Sequence, residues 1–350
     1  MEHTDPLRNR AAVLTDIGNI RIEDRGVPDI GPDEVLVRVD AVGVCGSDAH
    51  YFRHGRIGQY VVESPLILGH ETAGTIVAVG AASGQHRIGD RVAIEPGIPC
   101  GRCVECRIGR YNLCPGVVFH ATPPVDGTLQ QFIAVRADYA FTLPAQMSAE
   151  HGALVEPLAV AIWASQKAGI RPGSRVLVTG CGPVGLLAVQ AARAFGASHV
   201  MATDIDPAKL ELARELGADE VVSAPSLSDF VGADFDVHIE CSGNLRASRD
   251  GIALLGAGGT AVLVGMGDSQ GLDVPVSWIQ EKELTVTGVF RYANCFPLAI
   301  DFIATGKVLV EPLISGRYSL DAASTAIDTA GGPGVFKTLI LPNAPVEAAA

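Results

Sequence analysis

Arg175-Val176-Leu177-Val178-Thr179-Gly180-Cys181-Gly182-Pro183-Val184-Gly185 is the stretch that decides the fold class. Its first half is a short apolar run, as expected of a strand buried on both faces. Its second half matches G-x-G-x-x-G and opens an apolar segment, Val184 to Phe195, that reads as a helix. In such a unit the first glycine allows a sharp turn, the second lets a diphosphate approach the backbone, and the third lets helix and strand pack closely. The helix N-terminus adds free N–H groups and the positive end of a dipole. Gly180, Gly182, Pro183, Val184 and Gly185 are therefore the expected cradle of a dinucleotide. The glycine pattern alone is weak in a chain with 40 Gly, and its strand–turn–helix context carries the reading.

Downstream, His199 to Thr203 reads as the next strand. Asp204 ends it, 19 residues after Gly185. A carboxylate there accepts hydrogen bonds from the adenosine ribose and repels a 2′-phosphate, so NAD is expected rather than NADP. The plainer alternative is a turn cap formed with Asp206. Pro207 to Leu216 reads as a helix with Asp206 as N-cap and proline at its first position. Glu220 to Val222, Phe235 to Glu240, Thr260 to Val264 and Leu284 to Val289 read as further strands, with a helix over Asn244 to Leu255. This alternation predicts a doubly wound parallel (Rossmann) sheet over 161–295.

Upstream, residues 1–160 have a different texture. Glu34 to Val39 alternates apolar and charged residues, as a half-buried strand does. Thr75 to Val79 and Arg91 to Ile94 are similar, with Pro and Gly between them. Residues 296–350 contain a helix near Pro297 to Thr305 and a strand near Thr338 to Leu341. This segment is too short to bury a core alone and is expected to return onto the first region, with Pro345 to Ala350 loose.

At 350 residues the chain suits two domains. A net charge of −13 and the lack of a Lys/Arg-rich run argue against nucleic acid and anionic membranes as partners. The start, Met1 to Pro6, shows no basic region followed by an apolar stretch, and the most apolar segment is broken by Gly180, Gly182, Pro183 and Gly185. A cytoplasmic setting is expected, in which the eight Cys are thiols or metal ligands rather than disulfides.

Cys100, Cys103, Cys106 and Cys114 fall within fifteen residues, among Pro99, Gly101, Gly109 and Pro115. Four thiolates so placed can wrap one tetrahedral zinc, leaving no reactive position. Iron–sulfur clusters use other local spacings, and a disulfide pair is the plain alternative. A second, open metal site would need one Cys, one His and one or two carboxylates, and Cys45, His70, Glu71 and Glu156 are candidates. Their spacing carries almost no signal, since a lone buried Cys is usually core and a His-Glu pair is usually surface.

The strings Val44-Cys45-Gly46-Ser47-Asp48 with His50-Tyr51, Gly55-Arg56-Ile57-Gly58 and Leu68-Gly69-His70-Glu71-Thr72-Ala73-Gly74 closely resemble the zinc-containing medium-chain dehydrogenases. Phe119-His120-Ala121-Thr122-Pro123-Pro124, Leu154-Val155-Glu156-Pro157-Leu158-Ala159-Val160 and Gly288-Val289-Phe290-Arg291-Tyr292 resemble the sorbitol (L-iditol) and xylitol dehydrogenase branch. The likeness spans about residues 10 to 342. It implies a mostly β GroES-like catalytic domain beside the Rossmann domain, two zinc ions per subunit, and a cytoplasmic homotetramer. It implies that Cys45, His70 and Glu71 hold a catalytic zinc, and that Glu156 binds this ion or holds its water. Typical alcohol dehydrogenases place a second Cys near Glu156. A carboxylate instead makes the ligand set harder.

The implied reaction is oxidation of a secondary hydroxyl of a polyol with hydride transfer to NAD. Ser47 and His50 would relay the proton. Tyr51, Thr122, Glu156, Arg291 and Tyr292 are the implied partners of the other substrate hydroxyls, with Phe119 as an apolar wall. Arg291 could also contact the cofactor, and Arg291 and Tyr292 could instead serve a subunit contact. On the same scaffold, an L-threonine dehydrogenase would need a pocket for carboxylate and amine. A non-catalytic zinc and dinucleotide binder would be expected to lose a ligand or relay residue, and all six are present.

Overall fold

The computed structural model describes residues 8–267 and 271–344; the segment read as a loose tail, 345–350, lies outside them. The chain divides into two compact units. One runs to Glu156 and resumes at Leu313, and the other is Pro157–Pro312.

In the second unit six parallel strands lie in the order Glu220–Ser223, His199–Asp204, Arg175–Thr179, Phe235–Glu240, Leu255–Leu263, Thr285–Gly288. The order reverses between Arg175–Thr179 and Phe235–Glu240. Ligands of open parallel sheets bind at such a crevice, at the carboxyl ends of the strands. Val176, Leu177 and Val178 are fully buried, as helices on both faces require. Helix Pro207–Glu215 starts where its cap dictates, with Asp206 Oδ1 accepting from Ala208 N at 2.9 Å. Asn244 caps helix Leu245–Ala253 in the same way.

The first unit is built on a seven-stranded sheet. Its main path is Ala140–Thr142, Arg91–Ile94, Glu71–Val79, Glu34–Gly43, Lys337–Leu341, Ile314–Ser319, with Phe132–Arg136 also pairing with Glu34–Gly43. Arg8–Asp16, Asn19–Gly26 and Leu66–Ile67 form a smaller sheet. Val35, Val37, Val39, Ile76, Ile94, Leu129 and Ile340 share its core.

Three expectations need correction. The returning segment begins at Leu313, not at 296. Helix Phe296–Ala304 belongs with the nucleotide unit, because Phe302 stacks edge-on against Phe195 at 6.0 Å and Gln190 hydrogen-bonds both ways with the backbone of Leu309. The returning segment is also richer than a single strand, adding Ile314–Ser319 and helix Ala323–Thr329. The region read as strands and loops to 160 contains helices Gly46–His54 and Val155–Ala168, the latter with Pro157 in its first turn, where no intrahelical N–H is needed. No helix among the described residues is long and apolar enough to cross a membrane.

His238 carries a consequence for stability. It lies fully buried on a central strand, with Nε2 2.9 Å from Thr179 Oγ1, and burial pushes it from 6.5 down to about 3. Between these values the unfolded chain binds a proton that the folded chain refuses. Stability is therefore lost as pH falls from about 6.5 towards 3, at roughly 1.4 kcal/mol per unit. Urea melts at pH 6.5 and 4.5 are expected to show about 2.5 kcal/mol less of this acid loss in His238→Gln than in the parent. Equal acid slopes in the two proteins would remove His238 from the account.

Candidate active site

The strand register assembles the first metal set. Glu71 opens Glu71–Val79 and pairs with Gly43, the last residue of the antiparallel strand Glu34–Gly43. Cys45 follows Gly43 by two residues and His70 precedes Glu71 by one, so three distant ligands become neighbours. One donor atom from each of Cys45, His70 and Glu71 lies within 4.8 Å of the others. Gly43 leaves room for the Glu71 carboxylate, since a Cβ on it would stand 2.0 Å from Glu71 Oε2 and push that side chain aside. Gly69 adopts φ +88°, and a Cβ on it would press on Leu129 and Val42 at 2.9 Å.

Cys45 is the N-cap of helix Gly46–His54. Asp48, in the helix's first turn, locks this corner. Its buried carboxylate accepts from Cys45 N and from Gly69 N, each at 2.9 Å, and stands 3.8 Å from His70 Nδ1. Burial pushes Asp48 up, while His70 and the two N–H groups pull it back. Asp48 thus orients the ligands from behind, a role its place in the motif did not reveal.

Glu156 is buried but falls outside the three-donor set; its charge is felt at His70. Phe119 is buried with its ring 5.8 Å from the His70 ring. Thr122 closes the turn after it, donating its N–H to Phe119 O at 3.1 Å. Ser47 and His50 are three apart on one helix and so share a face. His50 is exposed beside His54, and burial and that neighbour both pull it below its ordinary value. Tyr51 is buried on the same helix.

Arg291 and Tyr292 lie in the other unit, just beyond strand Thr285–Gly288. Arg291 is held at φ +56° with its guanidinium over the Phe290 ring, and Tyr292 is buried against Phe296. A non-glycine residue at such an angle costs about 1 kcal/mol or more, and strain of this kind clusters at ligand sites.

The four-cysteine loop brings Cys100, Cys103, Cys106 and Cys114 within 4.8 Å of one another. The sulfurs of Cys103 and Cys106 are 3.4 Å apart. That is well beyond a disulfide bond of about 2.05 Å, and near the roughly 3.8 Å separation of sulfurs around one tetrahedral zinc. All four are free thiols, which sets the disulfide alternative aside. Backbone N–H groups of Arg102 and Cys103 pull the Cys100 thiol down to about 6. The donor chemistry fits zinc.

The glycines of the turn divide their labour as the motif requires. Gly180 sits at φ +87°, and a Cβ on it would strike Ser242 N at 2.6 Å. A Cβ on Gly185 would strike Gly180 O at 1.8 Å, whereas one on Gly182 would meet nothing within 4 Å. Gly182 therefore faces the space a diphosphate needs. It is the N-cap of helix Pro183–Ala194, which has no capping side chain. A cavity of about 500 Å³ opens here, lined by Gly180, Gly182, Asp204, Lys209, Ser242 and Arg246 among others. Asp204 accepts from Cys181 N at 2.6 Å and Asp206 N at 2.9 Å, so it caps the turn and lines the cavity at once. A carboxylate keeps further lone pairs for ribose hydroxyls.

Glu240 went unnoticed in the sequence. Fully buried, it accepts from Ser242 N, Ser242 Oγ and Gly243 N and so shapes the opposite wall of the cavity. Lys209 and Arg246 were missed as well, being isolated cations on helices.

An open metal set, a closed four-thiolate lobe and a glycine-lined nucleotide crevice define a zinc dehydrogenase scaffold that uses a nicotinamide dinucleotide. Residues 31–145 match the alcohol dehydrogenase GroES-like domain and residues 183–305 the zinc-binding dehydrogenase domain. The chain belongs to the zinc-dependent medium-chain dehydrogenases, in their sorbitol and xylitol dehydrogenase branch. It is 44% identical to a sorbitol dehydrogenase of Bacillus subtilis, covering 94% of this chain and 96% of that one. It is 42% identical to the Aspergillus clavatus protein named Probable D-xylulose reductase A, over 95% and 96% of the two chains. A Sinorhizobium meliloti protein solved bound to NADP superposes with a TM-score of 0.90 at 34% identity, covering 96% of this chain and 100% of the other.

Proposed function

We propose that this protein oxidises a secondary hydroxyl of an alditol of the sorbitol or xylitol type to a ketose, with NAD as acceptor, as a cytoplasmic homotetramer. The observation that carries the reading is the three-donor set of Cys45, His70 and Glu71, with a further buried carboxylate, Glu156, in electrostatic reach. The names of the relatives, sorbitol dehydrogenase and D-xylulose reductase, supply the substrate class.

Cys45, His70 and Glu71 would hold one zinc, and Cys100, Cys103, Cys106 and Cys114 the other. When bound, the catalytic zinc supplies Lewis acidity and the nicotinamide a hydride acceptor. Glu156 orients a hydroxyl or water by accepting its hydrogen bond. Ser47 takes the hydroxyl proton as it gives up its own, and that proton leaves by way of His50, exposed and held neutral, to solvent. Phe119 excludes water. Tyr51, Thr122, Arg291 and Tyr292 answer the remaining hydroxyls, and a substrate lacking these would leave them unpaired and be rejected. Asp204 opposes a 2′-phosphate, while Lys209 and Arg246 on the same cavity temper that opposition.

The test is absorbance of the reduced cofactor with the purified protein and a panel of alditols, each run with NAD and NADP and repeated after chelation. Chelator-sensitive activity on one or a few alditols, at least about tenfold better with NAD, is expected. Silence on all alditols with activity on L-threonine or a simple secondary alcohol would overturn the substrate class.

A further inference from the structure

Lys337 is 2% exposed, and its ammonium is fully satisfied: Nζ donates to Glu71 Oε2 at 2.7 Å, Glu71 Oε1 at 2.8 Å and Val44 O at 3.0 Å. A lysine has three N–H donors, and here each meets an acceptor of the metal centre's own scaffolding. Glu71 is one of the clustered donors, and Val44 is the residue before another, Cys45. A single side chain therefore ties together the two segments that carry the ligands.

The placement follows from the sheet. Lys337 opens strand Lys337–Leu341, which pairs with Glu34–Gly43 through Leu339↔Gly43 and Ile340↔Val42, and Val44 N donates to Thr338 O at 2.9 Å. The returning segment thus delivers a cation to a site whose ligands lie some 270 residues earlier. A buried lysine is tolerated only when paired, and its neighbours here are Glu71, Cys45 and Glu156. With a thiolate and a carboxylate as donors the set carries −2, and Lys337 reduces this to −1.

We propose that Lys337 is a positioning residue of the metal centre, clamping the Cys45 and Glu71 segments in their ligating arrangement and withdrawing carboxylate charge that would otherwise be given to the ion. The proposal rests on the reading that Cys45, His70 and Glu71 hold zinc. A lysine that merely stapled the last strand would do neither.

The experiment compares full-length Lys337→Met and Lys337→Arg with the parent. It reads zinc per chain after dialysis against graded concentrations of dipicolinate, the pH profile of kcat/KM for the best alditol after zinc saturation, and the thermal melt. Lys337→Met is expected to lose one of two zinc ions at about tenfold lower chelator concentration. Its saturated form should show the rising limb of kcat/KM displaced about one pH unit upward. Lys337→Arg, which keeps the charge, should leave that limb in place. If Lys337→Met does not fold, Lys337→Gln is read in its place by the same criteria, and a limb displaced in Lys337→Arg overturns the charge role. A folded Lys337→Met with parental zinc retention and an unmoved limb overturns the proposal and leaves only a staple. Failure of the underlying site reading looks different: the parent itself would then hold a single zinc that Cys45→Ser does not remove.

Discussion

Cys45→Ser is expected to leave a folded protein with one zinc per chain instead of two and a turnover lowered at least about a thousandfold, equivalent to roughly 4 kcal/mol of barrier. A serine hydroxyl stays protonated near neutral pH, so the substitution deletes an anionic ligand while changing the volume little. His70 and Glu71 remain, but Glu71 is already shared with Lys337, and two ligands hold a catalytic ion poorly. Folding should survive, because Asp48 accepts from the backbone N–H of residue 45 and not from its side chain. The adjoining core, with Val42, Val44 and Phe52, is apolar and independent of the metal. Atomic emission gives the zinc count, absorbance of the reduced cofactor gives the rate, and a melt shows whether the fold persists. Two zinc ions with parental turnover in the variant would place the catalytic metal elsewhere.

The contrast between the two units explains what could be read before the structure. The nucleotide unit is written locally. Strand, turn glycines and helix occupy consecutive residues, and period and capping signals repeat with each following strand, so even the cap Asp206 was legible. The metal centre is written non-locally. Nothing in the spacing of Cys45 and His70 says that Gly43 will pair with Glu71; only the register does, and before the structure only the likeness to a family supplied it. Lys337 was invisible for the same reason. It stands at the first residue of a strand read from 338 onward, where a lysine looks like solvent-facing punctuation, yet it is among the largest fully buried side chains. The one available signal was the apolar run Thr338 to Leu341, which marks a central strand whose flanking residues are enclosed too. The misplaced boundary at 296 has a similar origin. The helix near Pro297 carries no local mark of the domain it packs on, and the contact of Phe302 with Phe195 assigns it to the preceding domain.

Cys103→Ser is expected to produce the opposite phenotype, a local collapse with chemistry as its secondary casualty. The lobe between Gly97–Ile98 and Val118–Phe119 is closed at its base by the pairing of those two short strands. No residue between Glu95 and Thr128 belongs to the cluster built around Val35, Val37 and Ile94, and within the lobe between the two strands Cys114 is the buried apolar side chain. Val104, Ile108 and Val118 of the lobe are instead exposed. Its order must therefore come from the four sulfurs and their ion, and closed zinc sites of this kind carry about 10 kcal/mol or more of metal-linked folding free energy. Removing one thiolate should release one zinc, open 100–114 to limited proteolysis at rates at least about a hundredfold higher, and move the main melt far less. Turnover per remaining zinc should fall as well. Tyr111 of the lobe donates to Glu95 Oε1 at 2.7 Å, and burial and the charge of Glu156 hold Glu95 at about 7, while that hydrogen bond pulls it down. Loss of Tyr111 from this contact lets Glu95 titrate higher and alters the field around Glu156. The pH profile should therefore shift even where the catalytic zinc is retained. A protease-resistant lobe with two zinc ions in Cys103→Ser would show that three thiolates suffice, and unchanged pH dependence after cleavage would sever the lobe from the chemistry.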